Sequence, residues 1–219
     1  MWVVKIGGSL ASSPDLAPWL AAVAGPAQTP VVVVPGGGPF ADLVRQAQLR
    51  HGFDDAQAHR MAVLAMEQFG LMLCALEPRL VPAATVGHMR AARARGAVPV
   101  WMAATMALAA SDIGAGWDVT SDSLAAWLAH SIRATALFLV KSVSPASGRR
   151  SVSAASLARS GFVDAAFPKS VAGSAHELRC LGPGDHAVFA AGLRDGALCG
   201  TVVANAGADR GVDNARGHG

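Results

Sequence analysis

Charge is scarce in this 219-residue chain: Asp, Glu, Lys and Arg together make up 15% of it, against 52% hydrophobic residues. That leaves ample apolar material for a large core, in one α/β domain or two small ones. Long apolar runs are missing too. A mean hydropathy of +0.37 raises the question of a membrane span. Gly, Pro or a charge nevertheless interrupts every candidate before the roughly 20 residues a spanning helix needs. The opening Met1-Trp2-Val3-Val4-Lys5-Ile6 has no basic stretch followed by an apolar run and a cleavage site. A soluble, cytoplasmic protein without a membrane partner is expected. Basic residues exceed acidic ones by only 18 to 15, and no basic cluster is dense enough for nucleic acid. Arg90, Arg93 and Arg95 are expected on one solvated helix face, and Arg149-Arg150 at a loop tip. An anionic small molecule suits so mild an excess equally well. The three cysteines share no metal-ligand spacing and leave an odd number for disulfides, as in a reducing compartment.

What is present alternates short β-branched runs with longer helical stretches. Strands are expected at Val3–Ile6, Val31–Val34, Val98–Trp101, Thr135–Val140, Ala187–Ala190 and Thr201–Ala204. Helices are expected at Pro14–Val23, about Phe40–Arg50, Asp54–Leu76, His88–Arg95, Asp118–Ile132, Ala154–Ser160 and Ser170–Leu181. Such alternation predicts a three-layer α/β sandwich around a mainly parallel central sheet. Ligands of such sheets collect where loops leave the carboxyl ends of strands. The first two strands end there in glycine clusters.

Lys5-x-Gly7-Gly8-Ser9 is the first cluster. A lysine on the strand can project into a site, and glycines let backbone N–H groups approach phosphate oxygens. It is neither G-x-x-x-x-G-K-[ST] nor G-x-G-x-x-G, and a tight turn with a lone lysine would read the same way. The second, Pro35-Gly36-Gly37-Gly38, joins a buried strand to a helix and offers an anion a helix N-terminus. One glycine would normally suffice for the turn alone.

Three further blocks follow: Asp118-Val119-Thr120-Ser121-Asp122-Ser123, then Phe167-Pro168-Lys169, then Gly200-Thr201-Val202-Val203. Together with the two glycine clusters they resemble, in order, motifs of the amino-acid-kinase superfamily, which includes acetylglutamate, aspartate, uridylate and carbamate kinases. The resemblance runs from Lys5 to Val203.

The resemblance implies the amino-acid-kinase fold and transfer of the γ-phosphoryl of ATP, with Mg²⁺ carried by the nucleotide and no metal site in the protein. It implies catalytic roles for Lys5, Lys169 and Asp122, the two lysines flanking the transferred group. Gly7, Gly8, Ser9, Lys141 and Ser142 would hold ATP phosphates. Gly36, Gly37, Gly38, Arg60, Asp118 and Thr120 would hold the acceptor. Residues 1–206 would form one domain, with an acceptor half over about 1–132 and a nucleotide half over about 133–206; 207–219 would be a flexible tail. Homo-oligomers, dimers or larger, are usual in the family, and the helix Asp54–Leu76 is a candidate interface. One departure stands out. Lys141-Ser142-Val143-Ser144-Pro145 replaces the family's T-D-V-D-G, so the aspartate that often orients the two lysines is missing there, and Asp118 and Asp122 are the candidates to substitute.

The acceptor implied is a small phosphate or carboxylate. The short length, the His59-Arg60-Met61-Ala62 stretch and the Trp117–Ser123 block are most similar to a compact branch acting on (5-(aminomethyl)furan-3-yl)methyl phosphate. There, Asp118 or Asp122 would pair with the substrate's ammonium. Uridylate- and acetylglutamate-type kinases, and anion-storing members that do not catalyse, are the alternatives.

Overall fold

The computed structural model describes residues 1–144 and 151–205. Eight strands form one sheet: β1 (Trp2–Ile6), β2 (Val31–Pro35), β3 (Leu80–Ala83), β4 (Val98–Trp101), β5 (Ala136–Val140), β6 (Ser151–Ser153), β7 (Glu177–Leu181) and β8 (Thr201–Ala204). The order across it is β3-β4-β2-β1-β5-β7-β8-β6, parallel throughout except for the antiparallel β7–β8 pair. Nine α-helices are described: α1 (Leu16–Val23), α2 (Gly38–His51), α3 (Asp55–Leu76), α4 (Val86–Ala94), α5 (Ala104–Ala107), α6 (Ser121–Ser131), α7 (Ala154–Arg159), α8 (Phe167–Ser170) and α9 (His186–Asp195). The three-layer sandwich with a mainly parallel sheet is as the alternating pattern predicts.

The central strands are apolar on both faces because helices cover both. Along β1, Val3 enters one core with Leu124 and Leu128 of α6 and Phe167 of α8. Trp2, Val4 and Ile6 enter the other with Trp19 of α1 and Phe189 of α9. The pleat therefore puts Lys5 on the Val3 face, beneath α6. β1 lies between β2 and β5 in register, Ile6 opposite Pro35 and Val140, so three strand ends open onto one place.

Two expected elements are exchanged. The span Ser170–Leu181 is not a helix: Glu177–Leu181 is strand β7, paired with the whole of β5. The span Ala187–Ala190 is not a strand but lies inside α9, where Phe189, Gly192 and Leu193 are the buried residues. Their i, i+3, i+4 spacing is helical and extends beyond the short apolar run. Strand β3 was not legible, since its Pro82 breaks a four-residue run; as an edge strand it tolerates the missing donor. The expected tail from 207 and most of the loop expected beside the nucleotide lie outside the described residues. Among the described residues no helix is long and apolar enough to cross a membrane.

Candidate active site

The first glycine loop begins where β1 ends. Gly7 N–H donates to Val140 O at 2.9 Å, and Gly36 N–H donates to Ile6 O at 2.8 Å. These two amides, expected to face ATP and the acceptor, are therefore taken up by the strand neighbours. Glycine is required for another reason. A Cβ on Gly8 would run into the Gly38 nitrogen, and one on Gly36 into the Gly8 nitrogen. The loops pack backbone against backbone. Gly38, with φ of +58°, then turns the chain into α2, whose first-turn amides have no partner within the helix. Ser9 Oγ and Ser142 Oγ, 2.7 Å apart, tie the first loop to the segment after β5.

Three charged side chains converge below the loops. Asp122, in the first turn of α6, points its carboxylate at the ends of β1 and β5. Lys5 Nζ lies 2.8 Å from its Oδ1 and Lys141 Nζ 2.6 Å from its Oδ2. The Lys141 contact is a directed hydrogen bond. The Lys5 contact is close but off the hydrogen-bonding direction, since Asp122 Oδ1 has no hydrogen-bond partner, and it is best described as an ion pair. Lys5 is 4% and Asp122 3% exposed. Of the two aspartates that could stand in for the one missing after β5, Asp122 lies between two lysines, Lys5 and Lys141, and Asp118 is exposed.

Burial alone would raise the Asp122 carboxyl, but the two ammonium groups outweigh it and hold it below the usual carboxylate range. Lys141 is pushed down to about 8, first by burial and then by the charge of Lys5, against the pull of Asp122. Folding therefore releases the Lys141 proton in a window between about 8 and its ordinary value near 10.5. There the unfolded chain binds more protons, so this group's contribution to stability rises with pH. The unfolding free energy of the native protein minus that of Lys141→Met should increase by about 2–3 kcal/mol from pH 7.5 to 10.5, read from urea melts. Cys74 and Cys199, raised by burial, do not feel Lys141 and cancel in that difference; Cys180, which does, is pushed up by burial to about 12, above the window.

Lys5, Asp122 and Lys141 form the floor of a cavity of about 260 Å³. Gly8, Ser9, Gly37, Gly38, Thr120 and Ser121 rim it; Ala62, Val63 and Met66 of α3, with Val119 and Leu124, give it an apolar wall. At the mouth the Arg45 guanidinium lies 4.4 Å from the Trp117 ring centre and pairs with Asp42 at 2.9 Å. Trp117 Nε1 donates to Gln48 Oε1 at 2.6 Å, and Gln48 Nε2 to Asp55 at 2.7 Å, which fixes the indole across the opening. His59 is buried, its Nδ1 3.3 Å from Gly116 O.

Several expected site residues stand elsewhere. Arg60 is exposed and outside the cavity, whereas its neighbour His59 is buried and lines it. Asp118 and Lys169 are exposed and line an adjoining cavity of about 380 Å³, which shares Val119 and Leu124 with the first. Lys141 faces Lys5 across Asp122 where Lys169 was expected. Arg45, Asp42 and Asp164 went unread in the sequence. Arg45 follows the second glycine loop by two helical turns and could have been found by projecting α2; Asp164 had no local pattern. Among the described residues no group of three or more His, Cys, Asp or Glu side chains could hold a metal ion.

The model of the amino acid kinase family matches residues 1–145. A [5-(aminomethyl)furan-3-yl]methyl phosphate kinase of Methanocaldococcus jannaschii is 26% identical over 131 residues, 58% of this chain. The match spans 59% of that relative's length. Among solved structures, a uridylate kinase from Archaeoglobus fulgidus superposes with a TM-score of 0.68 at 20% identity, over 93% of this chain and 99% of that one. A UMP kinase from Bacillus anthracis gives 0.61 at 16% identity, over 94% and 96%. At such identities the structural likeness is one of fold.

Proposed function

The chain belongs to the amino acid kinase family, and we propose that it transfers the γ-phosphoryl of ATP to a small phosphomonoester, giving a diphosphate. The observation that carries this reading is the buried Lys5–Asp122–Lys141 group under two glycine loops. Phosphoryl transfer asks a protein for position and for positive charge at the equatorial oxygens. Two ammonium groups held about one carboxylate supply that. Asp122 keeps both near the reacting centre while leaving a net positive charge.

The acceptor oxygen attacks the γ-phosphorus in line, the bond to the β-bridging oxygen breaks, and ADP departs. A phosphomonoester, whose second proton leaves near pH 6, is already the nucleophile at neutral pH. No general base is needed, and Asp122 is engaged with both lysines. We give Lys141 the place that the motif resemblance implied for Lys169. Gly8, Ser9 and Ser142 lie on the ATP side; Gly37, Gly38 and Arg45 would hold the acceptor phosphate, and the wall of Trp117, Met66 and Val119 its body. Mg²⁺ would arrive with ATP, retaining phosphate and water ligands, since each Asp122 oxygen has a lysine beside it.

The similarity to the aminomethylfuran phosphate kinase makes (5-(aminomethyl)furan-3-yl)methyl phosphate the acceptor of choice. Its ammonium would pair with Asp42, the carboxylate that lines the cavity besides Asp122. Against a non-catalytic anion-binding role stands the carboxylate of Asp122 between Lys5 and Lys141.

ADP release measured with that furan phosphate, uridylate and acetylglutamate should be stimulated most by the furan phosphate. Nucleotide binding without turnover on any acceptor would remove the reading. Lys5→Ala should lower kcat by at least about tenfold, as loss of one preorganised charge does, with nucleotide affinity nearly kept.

A further inference from the structure

The first turn of α6 is held from outside its own sequence. Its N-cap residue, Thr120, makes no side-chain capping bond. Asp164, in the segment between α7 and α8, takes over that duty. Its Oδ2 accepts from Thr120 N at 2.9 Å, Thr120 Oγ1 at 2.8 Å and Ser123 N at 3.0 Å, and its Oδ1 accepts from Ser123 Oγ. These are the N-cap and N3 amides, which a local capping box would satisfy from within the helix. Ala166 N–H adds a fifth tie, to Asp118 O at 2.9 Å. Between the capped positions lie Ser121 and Asp122, the latter directly before Ser123. Two residues before Asp164 in the same segment, the Phe162 ring centre lies 5.3 Å from Lys141 Nζ.

We propose that Asp164 is a positioning residue for phosphoryl transfer, fixing the first turn of α6 so that the Asp122 carboxylate stays between Lys5 and Lys141. A surface helix start could be capped by its own Thr120 side chain. Here that hydroxyl is turned to Asp164 instead, and four donors meet one carboxylate. A misplacement of about 1 Å at a transfer site costs on the order of a hundredfold in rate, so the value of a rigid first turn lies in kcat, not in substrate affinity. The same four bonds join the segment leading to α8 to the triad, so a change in that segment is felt at Asp122. The inference rests on the phosphotransferase reading above.

Asp164→Ala is expected to lower kcat by about 10–100-fold while KM for ATP stays within about threefold. Lys141 gives a readout that needs no substrate, since it faces Lys5 from β1, Asp122 from α6, Cys180 from β7 and the Phe162 ring. Its titration midpoint, followed by the ¹³Cε resonance, should move by at least about half a unit in Asp164→Ala. It should stay put in Thr85→Ala, which removes the cap of α4. Should Asp164→Ala not fold, Thr120→Val with Ser123→Ala removes the two hydroxyl donors and leaves the carboxylate on both amides; a smaller loss of kcat is then expected. A lowered melting temperature with kcat and the Lys141 midpoint unchanged would overturn the proposal. If the native protein turns over no acceptor, the kinase reading fails, and the Lys141 titration alone decides the positioning claim.

Discussion

Asp122→Ala is expected to lower the unfolding free energy by about 3–5 kcal/mol near pH 7 and to remove detectable phosphoryl transfer. The ion group is buried, and the substitution leaves two ammonium groups side by side with no counter-charge. The penalty for breaking a buried pair is mainly that of the charge left behind. Lys141 already titrates near 8 with the carboxylate present. Without that carboxylate the cavity floor is relieved only by releasing a proton, so the variant should recover stability as pH rises. The native protein also gains stability with rising pH, but in the acid range and through Asp122. Its Asp122 carboxyl is held below the usual range, so the stability it contributes is complete above about pH 4 and is lost as pH falls through the lower folded value. Urea melts of both proteins from pH 3 to 9 test this, and a variant within about 1 kcal/mol of the native protein would show that the group is not electrostatically coupled as described.

Gly8→Ala should be nearly as damaging, by a different route. The added methyl meets the Gly38 backbone nitrogen and Cα, and backbone atoms cannot rotate away as a side chain can. Overpacking of this kind costs about 1–3 kcal/mol. More important, it forces the two glycine loops apart and shifts the α2 N-terminus relative to Lys5. A turnover loss of about a hundredfold or more is expected, with KM for both substrates raised, because the two loops are to hold different substrates. Gly52→Ala is the comparison. Gly52 has φ of +69° but open space around it, so it should show the modest strain of a left-handed alanine and little change in kcat. Steady-state kinetics beside melting temperatures would separate the two costs. If Gly8→Ala kept full turnover, the close loop contact would have no part in catalysis.

The order of elements was legible in residues such as Val31–Val34 and Asp54–Leu76 because their patterns are local: an apolar run for a strand covered on both faces, and a repeat near 3.6 for a helix. The exchange of strand and helix near the C-terminus shows the limit. Glu177–Leu181 has no strong period of its own and becomes a strand because β5 offers it a complete edge. The site divides in the same way. Lys5, Asp122 and the glycine loops could be named from their sequence, since each belongs to a compact motif.

The family, the alternating α/β layout and the glycine-rich strand ends can all be read from the chain's residue order, because each depends on neighbours within a few residues. Only the tertiary contacts show which lysine faces Lys5, that Asp122 sits between Lys5 and Lys141, and that Asp164 caps a helix 41 to 44 residues away. They also show that Gly8 and Gly36 serve each other's close approach while their loops border the cavity. These are contacts between side chains or backbones far apart in the chain. Their energies depend on burial and distance, which no local pattern encodes.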